Sequence, residues 1–448
     1  MDHTVDNSMK FQVHTFGCKV NTYDTGLLQK NLQNNGFTYQ NGDPRIHVLN
    51  TCAVTAEATK EAVRYIRRLK VRDPFCTVVV TGCAAQVDTG AFENLPGADL
   101  VVANSHKGQL PELLNKHFKG ELTEKVFKSN IFKKEDLEMG GGIEKSHTRT
   151  FLKIQDGCNS FCTYCIIPYA RGKSRSIPIA DLVGRVNDLY AEGIREVVLT
   201  GVHIGDYEDE IRGQKMVMED LLEHLVAKTK MPRFRLSSLE PVELSERLLD
   251  IYQDSKMCPH FHMSIQSANT DVLDKMKRKY TQNDVMHALN QIQKRVKNAF
   301  VGMDVIVGFP TETHEQFEDT YLTLADLPWT KIHVFPYSER QGTRAVTYPE
   351  TVPLQERQRR AARLRELSIH RYETLAKAQV GDNKKVLVLK NAAKGGHSLS
   401  RDYWPVEIIG AEEFISHWTG QEVDVKILKY DHSNKNRMEG HLIGEILT

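Results

Sequence analysis

The chain has 448 residues, with 59 Lys and Arg against 58 Asp and Glu and a formal net charge of +1 at pH 7. That length predicts roughly two to four domains, and so even a balance excludes a molecule that binds nucleic acid by overall charge, leaving only local patches for any RNA contact. The amino terminus, MDHTVDNSMK, lacks the basic start and apolar core of a signal peptide, and no run approaches the ~20 apolar residues that cross a bilayer. A cytoplasmic protein with no membrane partner is expected, in a compartment where the eight cysteines rarely form disulfides.

From residue 10 to about 120, strand-like runs FQVHTFG, RIHVLNT and CTVVVTG alternate with the helical pattern AEATKEAVRYIRRLK, which predicts a small parallel α/β sheet. A polar stretch with GGGI at 140–143 reads as a linker. From residue 148 the rhythm lengthens. FLKIQDG, EVVLTGV, FRLSSLEP, HFHMSIQS, GMDVIVGFP and KIHVFPYS read as strands with helical segments between most of them. They make about six β/α units, enough for an open barrel with its chemistry at the carboxyl ends of the strands. After a helical, Arg-rich segment at 353–377, the runs VLVLK, PVEIIG, EVDVKILKY and HLIGEIL predict a small β-barrel. Two basic patches, Arg64 to Arg72 and Arg357 to Arg365, sit on helical segments, where a solvated face is the plainer reading.

The stretch CNSFCTYC places Cys158, Cys162 and Cys165 directly after the first strand of the second segment. A structural zinc site takes four ligands, usually from two cysteine pairs; here only three thiols stand together, and His147 or His203 would have to complete such a site. The other reading is a 4Fe–4S cluster with three irons held by cysteine and one left open for a ligand. A second trio, Cys18 in TFGCKVN, Cys52 in LNTCAVT and Cys83 in VTGCAAQ, follows three strand-like runs, so the three thiols are expected to converge at one edge of the first sheet. Cys76 and Cys258 lack such settings and read as buried structural cysteines.

The three-cysteine pattern, with Tyr164 before its last member and a partial barrel around it, resembles the radical S-adenosylmethionine (SAM) superfamily. With the second trio and the terminal barrel, nearly the whole chain resembles the methylthiotransferases. The resemblance implies an α/β methylthiotransferase domain over 9–130, a partial (β/α)6 radical SAM barrel over 145–377, and a TRAM-like, RNA-binding β-barrel over 378–448. It implies two 4Fe–4S clusters: one on Cys158, Cys162 and Cys165 that binds and cleaves SAM, and an auxiliary one on Cys18, Cys52 and Cys83 that carries or supplies sulfur. Tyr164, Gly201, His203, Ser264, Gln266 and Gly308 are the implied SAM-contacting positions. Arg171 and Arg175 are expected to pair either with an anion, SAM carboxylate or RNA phosphate, or within the barrel.

The GCKVN form resembles the branch that modifies threonylcarbamoyladenosine in tRNA, rather than the isopentenyladenosine branch (GCQMN) or the ribosomal-protein aspartate branch (GCPKN). The implied partners are a tRNA anticodon loop, an electron donor such as a flavodoxin-type protein, and a sulfur source. A zinc-containing RNA-binding protein without catalysis is the alternative from another class.

Overall fold

The computed structural model describes residues 9–137, 148–433 and 438–447. The GGGI stretch and His147 lie outside them. The first segment forms a six-stranded sheet in the order Thr38–Tyr39, Lys10–Thr15, Ile46–Thr51, Thr77–Gly82, Leu100–Ala103, Val126–Phe127. All neighbours are parallel. Ile46–Thr51 and Thr77–Gly82 are buried at every position, as central strands of a parallel sheet covered on both faces must be. The chain winds in opposite directions on either side of Lys10–Thr15 and Ile46–Thr51. A crevice therefore opens at their carboxyl ends, the usual ligand position in such sheets.

The helix Ala56–Arg72 shows how local signals fix an element. Thr55 accepts from the amide of Ala58, Glu57 sits in the first turn and Lys70 and Arg72 in the last, matching cap and macrodipole. Ala62, Ile66 and Leu69 form its buried stripe.

The second segment has two parallel sheets. One carries Arg149–Lys153, Glu196–Thr200 and Phe234–Leu236, and the other Ser238–Leu239, His260–Gln266, Phe300–Val307 and Lys331–Pro336. Ser237 alone separates Phe234–Leu236 from Ser238–Leu239, so the two sheets share one interrupted strand. Arg149–Lys153 and Lys331–Pro336 do not pair, which leaves an open barrel of six strands, as the sequence predicts. Helix Lys19–Asn34 of the first segment packs against Arg149–Lys153, and helix Leu354–Lys377 lies along Lys331–Pro336.

The last segment is a closed barrel in the order Asn383–Leu387, Ser398–Ser400, Pro405–Ile408, His441–Ile446, Glu422–Asp431. It docks on the amino ends of the central strands through two fully buried arginines. Arg233 donates to Leu399 O and Ser400 O and pairs with Glu422 at 2.6 Å. Arg235 donates to Ser400 O and Arg401 O, each at 2.8 Å. Glu196 stands between them, 2.8 Å from Arg233 and 3.0 Å from Arg235.

The arginines of the second basic patch are engaged by partners within the chain. Arg357 pairs with Glu339, Arg359 with Glu356, Arg360 with Glu312, and Arg363 with Glu318, while Arg365 donates to Val334 O. In the first patch Lys70 is bound to Asp99, Arg64 to Glu57 and Arg72 to Asp43. Among the described residues, no helix is long and apolar enough to cross a membrane.

Candidate active site

Cys18 caps helix Lys19–Asn34, Cys52 follows Ile46–Thr51, and Cys83 opens the short helix after Thr77–Gly82. Their strands are neighbours inside the sheet, so the trio gathers at the carboxyl ends of three interior strands rather than at a sheet edge. Two glycines make this convergence possible. Gly17 has φ +98°, and a Cβ there would lie 2.6 Å from Sγ of Cys52; Gly82 has φ +94°, and its Cβ would meet Thr51 O at 2.4 Å. Both combine a left-handed backbone with a close approach that only glycine allows.

The asparagines of the motifs fasten the loops to one another. Asn21 Nδ2 donates to Phe16 O at 2.7 Å and Thr51 O at 3.0 Å. Asn50 Nδ2 donates to Asn21 O at 2.9 Å, and Asn104 Nδ2 lies 3.7 Å from Cys83 Sγ. Burial, and then the neighbouring Cys83, push the Cys52 thiol up to about 12. Three thiols gathered at neighbouring strand ends are a donor set of the kind a metal cluster uses.

The second trio lies on the loop after Arg149–Lys153. Cys165 N donates to Cys162 O at 3.0 Å, and Ser160 N donates to Cys158 Sγ at 3.4 Å. Phe161 between them adopts φ +48°, a strained state for a large side chain and one that concentrates at functional sites. Burial, and next Cys162, raise the Cys165 thiol to about 12. Arg278 donates from Nη1 to Cys162 Sγ at 3.1 Å and from Nη2 to Ser264 O at 3.0 Å, and pairs with Glu240 at 2.8 Å. Such donors to a ligating thiolate orient it and tune the metal.

The structure places the other expected positions around this loop. His203 Nδ1 is 3.1 Å from Asp206, Nε2 is 2.6 Å from Glu243, and Cys158 Sγ is 4.0 Å away. Burial works against its charge, but Asp206, Cys158 and Glu243 outweigh that and raise it far above the usual imidazole value. Tyr164 packs on a small apolar cluster that includes Val272, Met276 and Phe309. Gln266 ends its strand at φ +59° next to a register shift, a strained terminus among the SAM candidates. Gly308 N–H is already donated to Glu312 at 2.6 Å. Arg171 is not free for an anion: its guanidinium grips both oxygens of Asp156 at 2.9 and 3.0 Å and reaches Asp24 at 2.9 Å. Arg175 donates to the carbonyls of Lys134, Asp136 and Arg171. Cys76 and Cys258 are buried in the cores.

A cavity of about 1060 Å³ runs from the first trio through the barrel interior to the terminal barrel. Cys18, Cys52, Cys83 and Gly201 line it, whereas Cys158, Cys162, Cys165, Tyr164, His203, Ser264, Gln266 and Gly308 do not. Its wall carries His262, 3.0 Å from Asp304, with His333 beside them, and its floor is His260 stacked on Tyr403 at 3.8 Å. These inward polar side chains and Arg278 are absent from the sequence reading. The signal for the wall was present, since His262, Asp304 and His333 interrupt apolar strands at barrel-facing positions where bulky apolar side chains usually sit.

Comparison with known proteins agrees with this arrangement. Residues 152–324 match the Radical SAM superfamily and residues 10–103 match the Uncharacterized protein family UPF0004. The Threonylcarbamoyladenosine tRNA methylthiotransferase MtaB of Rickettsia prowazekii is 34% identical over 86% of this chain and 89% of its own length. Its namesake from Aquifex aeolicus is 35% identical over 85% and 93%. A tRNA-2-methylthio-N(6)-dimethylallyladenosine synthase of Staphylococcus epidermidis is 29% identical over 97% and 85%. Among solved structures, the radical SAM methyltransferase TsrM of Kitasatospora setae covers 73% of this chain and 72% of its own, with a TM-score of 0.55 at 16% identity, a shared fold. The cofactors are SAM and two 4Fe–4S clusters, and the reaction is a group transfer. With both family models matched in order and a relative of this identity covered almost end to end, the chain belongs to the radical SAM tRNA methylthiotransferase family.

Proposed function

We propose that the protein converts N6-threonylcarbamoyladenosine beside the anticodon of tRNA to its 2-methylthio derivative. The observation that carries this reading is the cavity at the first trio, whose wall presents His262, Asp304 and His333. Within a lining that is otherwise largely apolar, these three side chains offer hydrogen-bonding and charged partners to an N6 chain bearing a hydroxyl and a carboxylate. The relatives that carry the threonylcarbamoyladenosine name support the same choice.

In this reading residues 145–377 hold the SAM cluster through Cys158, Cys162 and Cys165, and residues 9–130 hold the auxiliary cluster through Cys18, Cys52 and Cys83. Residues 378–448 close the cavity and bind the RNA. The bound clusters and SAM supply the one-electron chemistry needed at carbon 2 of the adenine, whose C–H bond no side-chain base can break at neutral pH. The protein's own residues position and insulate. Arg278 orients Cys162; Ser264 and Gln266 would hold the ribose of SAM, and Gly201 and His203 would stand at its amino group. His203, held as an imidazolium by carboxylates, adds positive charge beside Cys158. Electrons come from a flavodoxin-type donor, and the sulfur from a separate source.

Nucleoside mass spectrometry of total tRNA from cells with and without the gene tests the reading. Selective loss of 2-methylthio-threonylcarbamoyladenosine, with its unthiolated precursor accumulating, is expected. Loss of 2-methylthio-isopentenyladenosine instead would move the substrate within the family, and no change in either nucleoside would remove the tRNA assignment.

A further inference from the structure

Lys19 follows Cys18 and lines the cavity onto which the first trio opens. The other lysines and arginines of that lining are matched: Arg171 by Asp156 and Asp24, Lys331 by Glu439 at 2.8 Å. Among the described residues the Lys19 ammonium makes no hydrogen bond or ion pair. No acidic side chain occupies the first turn of its helix, so nothing local balances it. Its charge is felt on the cavity floor. Burial, then Arg235 and Lys19, hold His260 well below the usual imidazole value. Burial raises Tyr403, yet Arg149, Lys19 and Arg235 together bring it below the usual phenol value. A half-buried cation with no counter-ion inside a concave site calls for an anionic ligand.

The substrate's chemistry supplies one. Carbon 2 and carbon 6 of adenine flank the same ring nitrogen, so a base that turns carbon 2 toward the first trio carries its N6 chain along the wall beside it. In threonylcarbamoyladenosine that chain ends in a carboxylate. We propose that the Lys19 ammonium pairs with this carboxylate inside the cavity and thereby selects adenines with an anionic N6 substituent over those with an uncharged one. This rests on the substrate reading above and adds the residue that enforces it. Two other roles are open to a cation at this position: balancing the charge of a cluster on Cys18, and gripping an RNA phosphate.

The test uses full-length enzyme with both clusters reconstituted, and compares wild type with Lys19→Gln and Lys19→Met. The substrates are anticodon stem–loops carrying threonylcarbamoyladenosine, its carboxyl methyl ester, or isopentenyladenosine. Steady-state constants are read beside iron and sulfide content and the cluster spectra. The expected result is a KM for the threonylcarbamoyl RNA raised about tenfold or more in both variants, an unchanged KM for the ester, and wild-type iron content and spectra. Equal losses on acid and ester mark a phosphate contact, lost iron or altered spectra mark a cluster role, and unchanged constants mark no role; each overturns the pairing. Wild-type enzyme that leaves the threonylcarbamoyl RNA unmodified overturns the substrate reading and the pairing with it. Lys19→Gln and Lys19→Met enzymes that modify it as well as wild type does overturn the pairing alone.

Discussion

Arg171 Nη2 lies 2.9 Å from Asp24 Oδ2, tying the loop region after the second cysteine trio to the helix that begins at the first. The contact belongs to a buried group in which Lys153 reaches Asp24 at 2.7 Å and Asp156 at 3.0 Å, and Lys107 reaches Asp24 at 3.3 Å. Removing one partner from such a group strands the others without water, at a cost of about 3–5 kcal/mol. Asp24→Asn, which leaves Lys107 without a carboxylate and Lys153 and Arg171 with Asp156 alone, is expected to lower the unfolding free energy by that order in a urea titration. The double variant Asp24→Asn/Arg171→Met should lose less than the sum of the two single losses.

The arginines around Glu196 give stability an acid limb. Burial disfavours the charged carboxylate, but Arg235, Arg233 and Arg149 outweigh it and hold Glu196 well below the usual carboxylate range. A carboxylate lowered on folding contributes stability that is complete above its unfolded value near 4.5 and is lost as pH falls toward its folded value. Wild type should therefore exceed Glu196→Gln in unfolding free energy by a constant margin from pH 7 to about 5. The margin should shrink steadily below about pH 4.5, and a margin that grows on acidification would contradict the assignment of charge.

Each cysteine trio is expected to control its own share of the iron. Cys83→Ala should bring iron down to about half the wild-type content, leave SAM cleavage to 5′-deoxyadenosine in place, and abolish methylthio transfer. Cys162→Ala should produce a similar loss of iron together with loss of SAM cleavage. Iron assay and deoxyadenosine detection on the same preparations separate the two patterns.

Gly17→Ala tests the convergence of the strand ends. Its new methyl would lie 2.6 Å from Cys52 Sγ on a backbone at φ +98°, and strain of about 1–3 kcal/mol falls directly on a candidate cluster ligand. The expected outcome is the iron content and activity pattern of Cys83→Ala, produced without removing any thiol.

Arg278→Met removes a donor 3.1 Å from Cys162 Sγ while leaving all three thiols. Iron content is expected to hold, and the reduction potential of that cluster to move negative by tens of millivolts, on the order expected for a lost hydrogen bond to a ligating sulfur. Electron paramagnetic resonance during a reductive titration reads the shift.

The grouping of each cysteine trio was legible in the sequence because the cysteines follow the ends of strand-like apolar runs, which are punctuated by glycine or asparagine. The open barrel and the terminal β-barrel were legible for the same reason of period and punctuation. Arg278 was not, since its partner Cys162 stands 116 residues away and KRKY reads locally as surface charge. Arg171 stood equally between an anion ligand and an internal ion pair, and only the docking of the first sheet on the barrel brings Asp24 to it. Gly308 shows the converse: its motif points to a backbone contact with a ligand, yet the fold commits its N–H to Glu312.

The cavity takes its wall from three stretches far apart in the chain, with Cys18 at one end and Tyr403 and Glu439 at the other. During synthesis the first of these leaves the ribosome long before the last, so a half-made chain has the first trio of thiols but not the opposite wall of the cavity. The far wall of the cavity therefore exists only once the terminal barrel has folded and seated Tyr403 against His260.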